Sequence, residues 1–219
     1  MNFYVLTSLF IFNRKLYILA SLIIFIMVIG HNLRKSRNIK EKQEMSFWER
    51  ERLSNQVRRK PLDDLDYIKI PLESLPMQLL CEDEKVADIQ RIMNELSLEP
   101  IVNLTGLSNT DLKFEYGTAN ITYLMKYDQN YTVLASTLQQ WADILYQKGY
   151  LEETRQVLEF AVSTHTDVSH SYTMLADIYE KQNHPELIPQ LIETAKTLNS
   201  LNKEVILRHL SERDGSASR

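Results

Sequence analysis

A fixed offset of 34 residues relates two stretches of this chain: Ala142, Asp143, Ile144, Glu152, Gln156, Glu159 and Ala161 recur as Ala176, Asp177, Ile178, Glu186, Gln190, Glu193 and Ala195. These are seven identities over the twenty positions 142–161, where composition alone gives about one. A period of 34 is the length of one helix–turn–helix unit in stacked helical repeats. A unit of that size cannot bury its apolar stripe alone, so the register implies antiparallel hairpins sharing one core. The expected class is all-α, and the expected use is a binding scaffold.

The chain has 219 residues, 25% of them charged and 44% apolar, enough for one modest domain with appendages. A single cysteine, Cys81, excludes an internal disulfide and a multi-cysteine metal site. The net charge of −4 hides an asymmetry: residues 1–60 carry a balance of +8 and residues 61–219 a balance of −12. An acidic folded part argues against nucleic acid as a partner. A basic front before an acidic body fits a membrane-proximal segment followed by a water-exposed domain.

Residues 16–29 (LYILASLIIFIMVI) are almost all apolar, and the run reaches 18 residues if extended to 33. A bilayer core takes about 20 helical residues, with about 17 as a lower limit. The expectation is a single transmembrane helix over 16–33, preceded by an N-terminal extension at 1–15. Asn13, Arg14 and Lys15 separate it from the apolar residues 3–12, because charges inside hydrocarbon are costly. Arg34, Lys35, Arg37, Lys40 and Lys42 follow the span, against Arg14 and Lys15 before it. The richer side stays in the cytoplasm, so the expected topology is N-out, C-in, at the cell membrane. A cleaved secretory signal is the rival, opposed by the dense positive charge after the core and by the lack of a small-x-small site near Gly30. A buried core helix is the third reading.

Residues 34–60 read as a basic juxtamembrane linker. Ser46 followed by Glu49 fits a capping box opening a short helix over 46–57. Phe47 and Trp48 near its start either dock on headgroups or a partner, or pack on the domain. Arg58, Arg59 and Lys60 either meet anionic lipid or solvate the linker. Residues 61–127 are expected to be an extended segment and capping helices. Pro61, Pro71 and Pro76 block a long helix over 61–80, so extended chain is expected there. An amphipathic helix follows over 83–98, with Val86, Ile89, Ile92, Met93 and Leu96 on one face. Residues 101–110 are loop-like, and 111–116 form a turn of helix ended by Gly117. Leu104, Leu107, Leu124 and Tyr127 keep the 34-residue register with Leu138, Trp141, Leu158 and Ala161 faintly, as a degenerate or capping layer.

The repeats and a C-terminal cap occupy 128–213. The first unit predicts helix over 128–148, striped by Leu134, Leu138, Trp141, Ala142 and Leu145, a stop at Gly149, then helix over 152–163 burying Val157, Leu158 and Ala161. In the second, Tyr172, Leu175, Ala176 and Tyr179 form the stripe and Asn183 stands at the glycine position. Pro185 then opens a helix with Ile188, Leu191, Ile192 and Ala195. The alanines let antiparallel helices approach closely. A last helix over 201–213, with Leu201, Val205, Ile206 and Leu210, caps the stack, and 214–219 form a disordered tail.

These Trp/Leu, Ala, Leu/Tyr, Gly/Asn, Leu/Ile and Ala positions resemble the tetratricopeptide (TPR) family across residues 131–199. Thr154 and Ile188 depart from it, standing where that family usually has a small residue. The resemblance implies that helix residues facing away from the stripe line a groove: Ser136, Gln139, Asp143, Tyr146 and Gln147, then His170, Thr173, Asp177, Glu180 and Lys181. Asp143 and Asp177 make that face acidic, so a basic or amide-rich peptide suits it; the alternative is a solvated face with no ligand. The whole layout also resembles an uncharacterised family of membrane-anchored proteins from low-GC Gram-positive bacteria. The short anchor, the FWERE-like box and the segment 103–117 (NLTGLSNTDLKFEYG) carry that likeness, which implies no activity.

One constellation invites comparison with a catalytic site: His165, Asp167 and His170, in the sequence HTDVSH. Two histidines and a carboxylate are zinc-ligand types. Their place between two helices reads equally as turn and N-cap. No GxSxG, HExxH, Walker A or GxGxxG pattern occurs. Cys81 reads as a partly buried thiol rather than a nucleophile. Asn103, Asn120 and Asn130 begin N-x-T sequons, which cytoplasmic placement makes irrelevant. The expectation is a non-enzyme without metal or cofactor, a membrane-anchored scaffold or adaptor holding a protein partner. The alternatives are an extracytoplasmic scaffold or assembly factor with inverted topology, and a metal-dependent enzyme using that His165/Asp167/His170 cluster.

Overall fold

Amphipathic stripes at helical spacing, interrupted by proline, glycine and capping residues, divide this chain into helices rather than strands. The computed structural model describes residues 46–217, and among them are eight α-helices, no strand and one isolated antiparallel bridge, Tyr67–Val102. The class is all-α. The expected span 16–33 and the extension 1–15 lie outside the described residues. No helix among the described residues is long and apolar enough to cross a membrane.

The chain divides into two units, Met1–Asn55 and Gln56–Arg219. The described part of the first is helix α1, residues 46–54. Its Phe47 and Trp48 rings meet edge to face at 5.6 Å and are 56% and 67% exposed.

In the second unit, residues 61–83 are mostly turns, not the extended chain expected, apart from the bridge at Tyr67. Successive turn hydrogen bonds satisfy the backbone around Pro71 and Pro76, such as Ser74 N–H to Pro71 O and Leu79 N–H to Pro76 O. Ile68, Ile70, Leu72 and Leu79 still pack on the core. Helix α2 (Glu84–Leu96) starts where Asp83 accepts the N–H groups of Lys85 and Val86, and it buries Val86, Ile89, Met93 and Leu96. Ser108 and Asp111 form a reciprocal capping box on α3 (Asn109–Tyr116), and Gly117 ends it. Helix α4 (Ile121–Gln147) begins seven residues before the expected start at 128. No proline or glycine stands between Gly117 and Gly149 to interrupt it.

Helix α5 (Leu151–Ser163), α6 (Ser169–Lys181), α7 (Ile188–Lys196, preceded by a 3-10 turn at Pro185–Leu187) and α8 (Lys203–Ala217) complete the unit. Consecutive helices pack in antiparallel sequence, α4 on α5 and α5 on α6, with α8 against both α6 and α7. The 34-residue register governs the turns as well as the residues. Helices α4 and α6 end at Gln147 and Lys181, 34 apart. The following residues, Gly149 (φ 87°) and Asn183 (φ 59°), both adopt the left-handed conformation. In each turn the next N–H closes back on the helix, Tyr150 to Leu145 O at 3.0 Å and His184 to Tyr179 O at 2.8 Å. This six-to-one bond satisfies a carbonyl that the helix end would orphan.

The main core joins α2 and α4 to α8, with Trp141, Ala142, Leu145, Leu158, Tyr172, Ala176 and Ile206 at most 1% exposed. Thr154, at a position expected to be small, is fully buried and donates its hydroxyl to Tyr150 O at 2.7 Å, which removes the penalty of an unpaired polar group. The middle region forms no third hairpin. Val102, Leu104, Leu112 and Leu124 make a separate small cluster, and Leu107 is exposed. Three further expectations are corrected. Leu201 is 99% exposed because α8 starts only at Lys203, and Val205 is also exposed, leaving Ile206 and Leu210 as the buried pair. Cys81 is exposed, beyond the cap that starts α2. The helical backbone of α8 continues through Ala217, into the segment expected to be a disordered tail.

Candidate functional site

Helices α4 and α6 lie one repeat apart and offer matched polar side chains away from their buried stripes. Gln139 ties them together: its amide donates to Asp143 Oδ1 at 2.8 Å, and its carbonyl accepts from the buried Ser171 hydroxyl at 2.6 Å. His170 Nε2 stands 3.2 Å from the same Asp143 oxygen. About one helical turn further along α4, the Lys181 ammonium donates to the Tyr146 hydroxyl and sits 4.7 Å from that ring's centroid. The Tyr146 hydrogen bond raises the Lys181 pKa. Thr173 donates to His170 O at 3.1 Å, and Ser136 donates to Thr132 O at 3.0 Å, each within its own helix. Gln147 is exposed.

Asp177 and Glu180 meet a residue that local pattern did not associate with them. Arg213 of α8 hydrogen-bonds Asp177 and lies 3.6 Å from Glu180. The face expected to be acidic is therefore of mixed charge, with Lys181 and Arg213 set among Asp143, Asp177 and Glu180. A signal for Arg213 did exist: it extends the stripe of Ile206 and Leu210 by one helical turn.

The HTDVSH residues do not converge. His165 (φ 57°) takes the left-handed position after α5, with Nδ1 3.2 Å from the Thr197 hydroxyl. Asp167 accepts from Ser200 at 2.6 Å, while His170 points to Asp143 on the α4–α6 face. Among the described residues no group of three or more His, Cys, Asp or Glu is placed to hold a metal ion. His165, Asp167 and Asn103 instead line an open polar cleft of about 400 Å³.

The sequon asparagines turn out to be clamps between distant segments, a role that their N-x-T context concealed. Asn103 donates to the carbonyls of Thr164 and His165 at 3.0 and 3.1 Å, capping α5. Asn120, fully buried, donates to Lys60 O and Tyr116 O at 2.7 and 2.8 Å. Asn130 donates to Pro100 O at 2.9 Å.

Three buried tyrosines stand behind these faces. Tyr131 and Tyr172 donate to the carbonyls of Thr164 and Thr166, and Tyr179 donates to the Glu159 carboxylate. Burial pushes the Tyr131 pKa from 10.0 to about 12 and raises those of Tyr172 and Tyr179, the last also through the Glu159 charge. Because the folded-state values are raised, their stabilisation is complete below pH 10. It is lost as pH rises, since the unfolded chain releases these protons first. Urea midpoints should therefore fall between pH 9 and pH 12, and less so in Tyr131→Phe; midpoints flat across that window would refute the account.

Comparison with protein-family models, with curated proteins and with solved structures gives no match to this chain.

Proposed function

We infer that the protein is a membrane-anchored, tetratricopeptide-like scaffold that holds a protein partner at the cytoplasmic face and catalyses no reaction. The observation that carries this reading is the coincidence of residue register and turn geometry at one offset of 34. Repeated hairpins place equivalent positions of successive first helices side by side, which is how stacked helical repeats make binding surfaces. Gln139/Thr173, Asp143/Asp177, Tyr146/Glu180 and Gln147/Lys181 are such pairs here. A partner segment rich in amides, or carrying both charge signs, matches the mixed face. The apolar run 16–33 supports the tether, and confinement to a surface raises the effective concentration of any partner held there.

The test uses the full chain in intact cells, with a photo-crosslinking amino acid at Gln147 or, as control, at the exposed Glu193 on α7. A discrete adduct from position 147, absent from 193 and lost in Lys181→Ala, is the expected result. Adducts of equal pattern from both positions would remove the proposed face. A reporter fused at the C-terminus separates this reading from its inverted-topology rival: activity only outside the cytoplasm reverses the orientation.

A further inference from the structure

The juxtamembrane basic residues are built into the domain more firmly than a solvated linker requires. Lys60 N–H donates to Tyr116 O at 3.1 Å, and the buried Asn120 amide holds Lys60 O at 2.7 Å. Asn120 Oδ1 then accepts from Arg59 Nε at 3.0 Å. The Arg59 guanidinium carbon lies 5.7 Å from the Tyr123 ring centroid. With Nε committed and the guanidinium carbon held over an aromatic ring, the terminal nitrogen pair of Arg59 is pre-oriented. A guanidinium fork of this kind matches two oxygens of a phosphate, and ordering it beforehand lowers the entropy lost on binding.

Arg59, Lys60, Tyr67, Tyr123 and Tyr127 line an open cleft of about 610 Å³. The Tyr67 and Tyr127 rings meet edge to face at 5.9 Å. Helix α4 starts at this corner with no acidic residue in its first turn, so its positive end adds to the local potential. Asp63 is the carboxylate at the cleft, and it opposes an anion. Amphipathic rings beside cations are the side-chain set that settles at the headgroup level of a bilayer.

We propose that this cleft binds the phosphodiester headgroup of an anionic phospholipid, docking the domain on the membrane to which the chain is tethered. The charge distribution selects the source. Residues 61–219 carry a balance of −12, which repels polyanions such as nucleic acid, whereas a singly charged headgroup meets mainly the local field of Arg59 and Lys60. Arg59 lies 26 residues beyond Leu33, so a membrane anchor at 16–33 holds lipid at high effective concentration. The inference rests on the membrane-anchored reading, and the experiment separates the two.

Full-length protein in short-chain phosphatidylcholine micelles is titrated with short-chain phosphatidylglycerol, and separately with inorganic phosphate. The Asn120 side-chain amide and Arg59 Nε–H resonances report the site. The expected result is a saturable shift with phosphatidylglycerol, about fivefold weaker in Arg59→Gln and in Lys60→Gln, and tighter in Asp63→Asn. Lys60→Gln leaves the backbone bonds of the corner in place, so it guards against a folding defect in Arg59→Gln. Shifts no larger than those from added phosphatidylcholine, undiminished shifts in Lys60→Gln, or shifts from inorganic phosphate alone would each overturn the proposal. Alkaline extraction of cell membranes tests the anchor independently. A chain that washes off yet keeps the phosphatidylglycerol shift loses the tether and keeps the site; one that stays put without the shift loses only the site.

Discussion

Ala142→Trp and Ala176→Trp each lower the melting temperature of the domain by several degrees or abolish a cooperative transition. Both alanines are fully buried, at equivalent positions of α4 and α6, in the core shared with Leu145, Leu158 and Ala161. Helices with methyl groups at their contact approach closely, and a ring placed there forces either backbone separation or off-rotamer neighbours. Overpacking costs about 1–3 kcal/mol where the structure can yield, and indole in place of methyl lies at or above the top of that range. Against a total stability of about 5–15 kcal/mol, the loss is a large fraction. In a domain of this size each kcal/mol moves the midpoint by about 2–4 °C. Gln140→Trp, on an exposed position of α4, should melt like the wild type. Wild-type melting of both alanine variants would show that the hairpins do not share this seam.

Gly117→Ala should be far more damaging than Gly149→Ala. Its backbone (φ 83°, ψ 149°) lies in a region that only glycine enters without strain. A Cβ there would stand 2.4 Å from the carbonyl oxygen of Arg58 and 2.7 Å from its carbon, and neither is a flexible side-chain end. Strain of this kind costs about 1–3 kcal/mol before any displacement of the 58–60 segment. Gly149 provides the contrast. It too has positive φ, yet a Cβ would meet nothing within 4 Å, and Asn183 already occupies the equivalent place in the second hairpin. Gly149→Ala therefore loses only the left-handed preference, about 1 kcal/mol. Thermal melts should rank Gly117→Ala well below Gly149→Ala. Displacing Arg58 also disturbs Arg59 against Asn120, so the Arg59 Nε–H resonance should move in the first variant and stay in the second. Equal melts and an unmoved resonance would contradict the close approach.

The repeat hairpins were legible residue by residue. Gly149 after Lys148 and Pro185 before Ile188 mark helix ends by chemistry that acts within a few residues. The stripes of Val86–Leu96 and Tyr172–Tyr179 follow from helical spacing alone. Where that logic failed, the reason is visible. The 121–127 stretch carries no breaker, yet its helix depends on packing Leu124 into the second small cluster, which no local spacing reveals. Leu201 and Val205 fitted the apolar pattern of α8 but had no surface to cover them.

The candidate face divides in the same way. Gln139, Asp143, Asp177 and Lys181 were placed by the family resemblance, as helix residues facing away from the buried stripe. The contacts they make were not: Ser171 and His170, the latter itself an expected groove residue, approach from a neighbouring helix, and Arg213 from 36 residues beyond Asp177. An acidic groove became a mixed one for that reason.

Local interactions of known period, short-range and self-contained, let the amino-acid order alone determine the class, the turn positions and the helices that carry the polar face. Only the tertiary structure decided which remote segments meet: Asn103 on the end of α5, Asn120 around Lys60, Arg213 across Asp177. Contacts spanning 36 to 61 residues leave no periodic trace, because they form only after separately specified helices pack and bring those side chains within hydrogen-bonding reach.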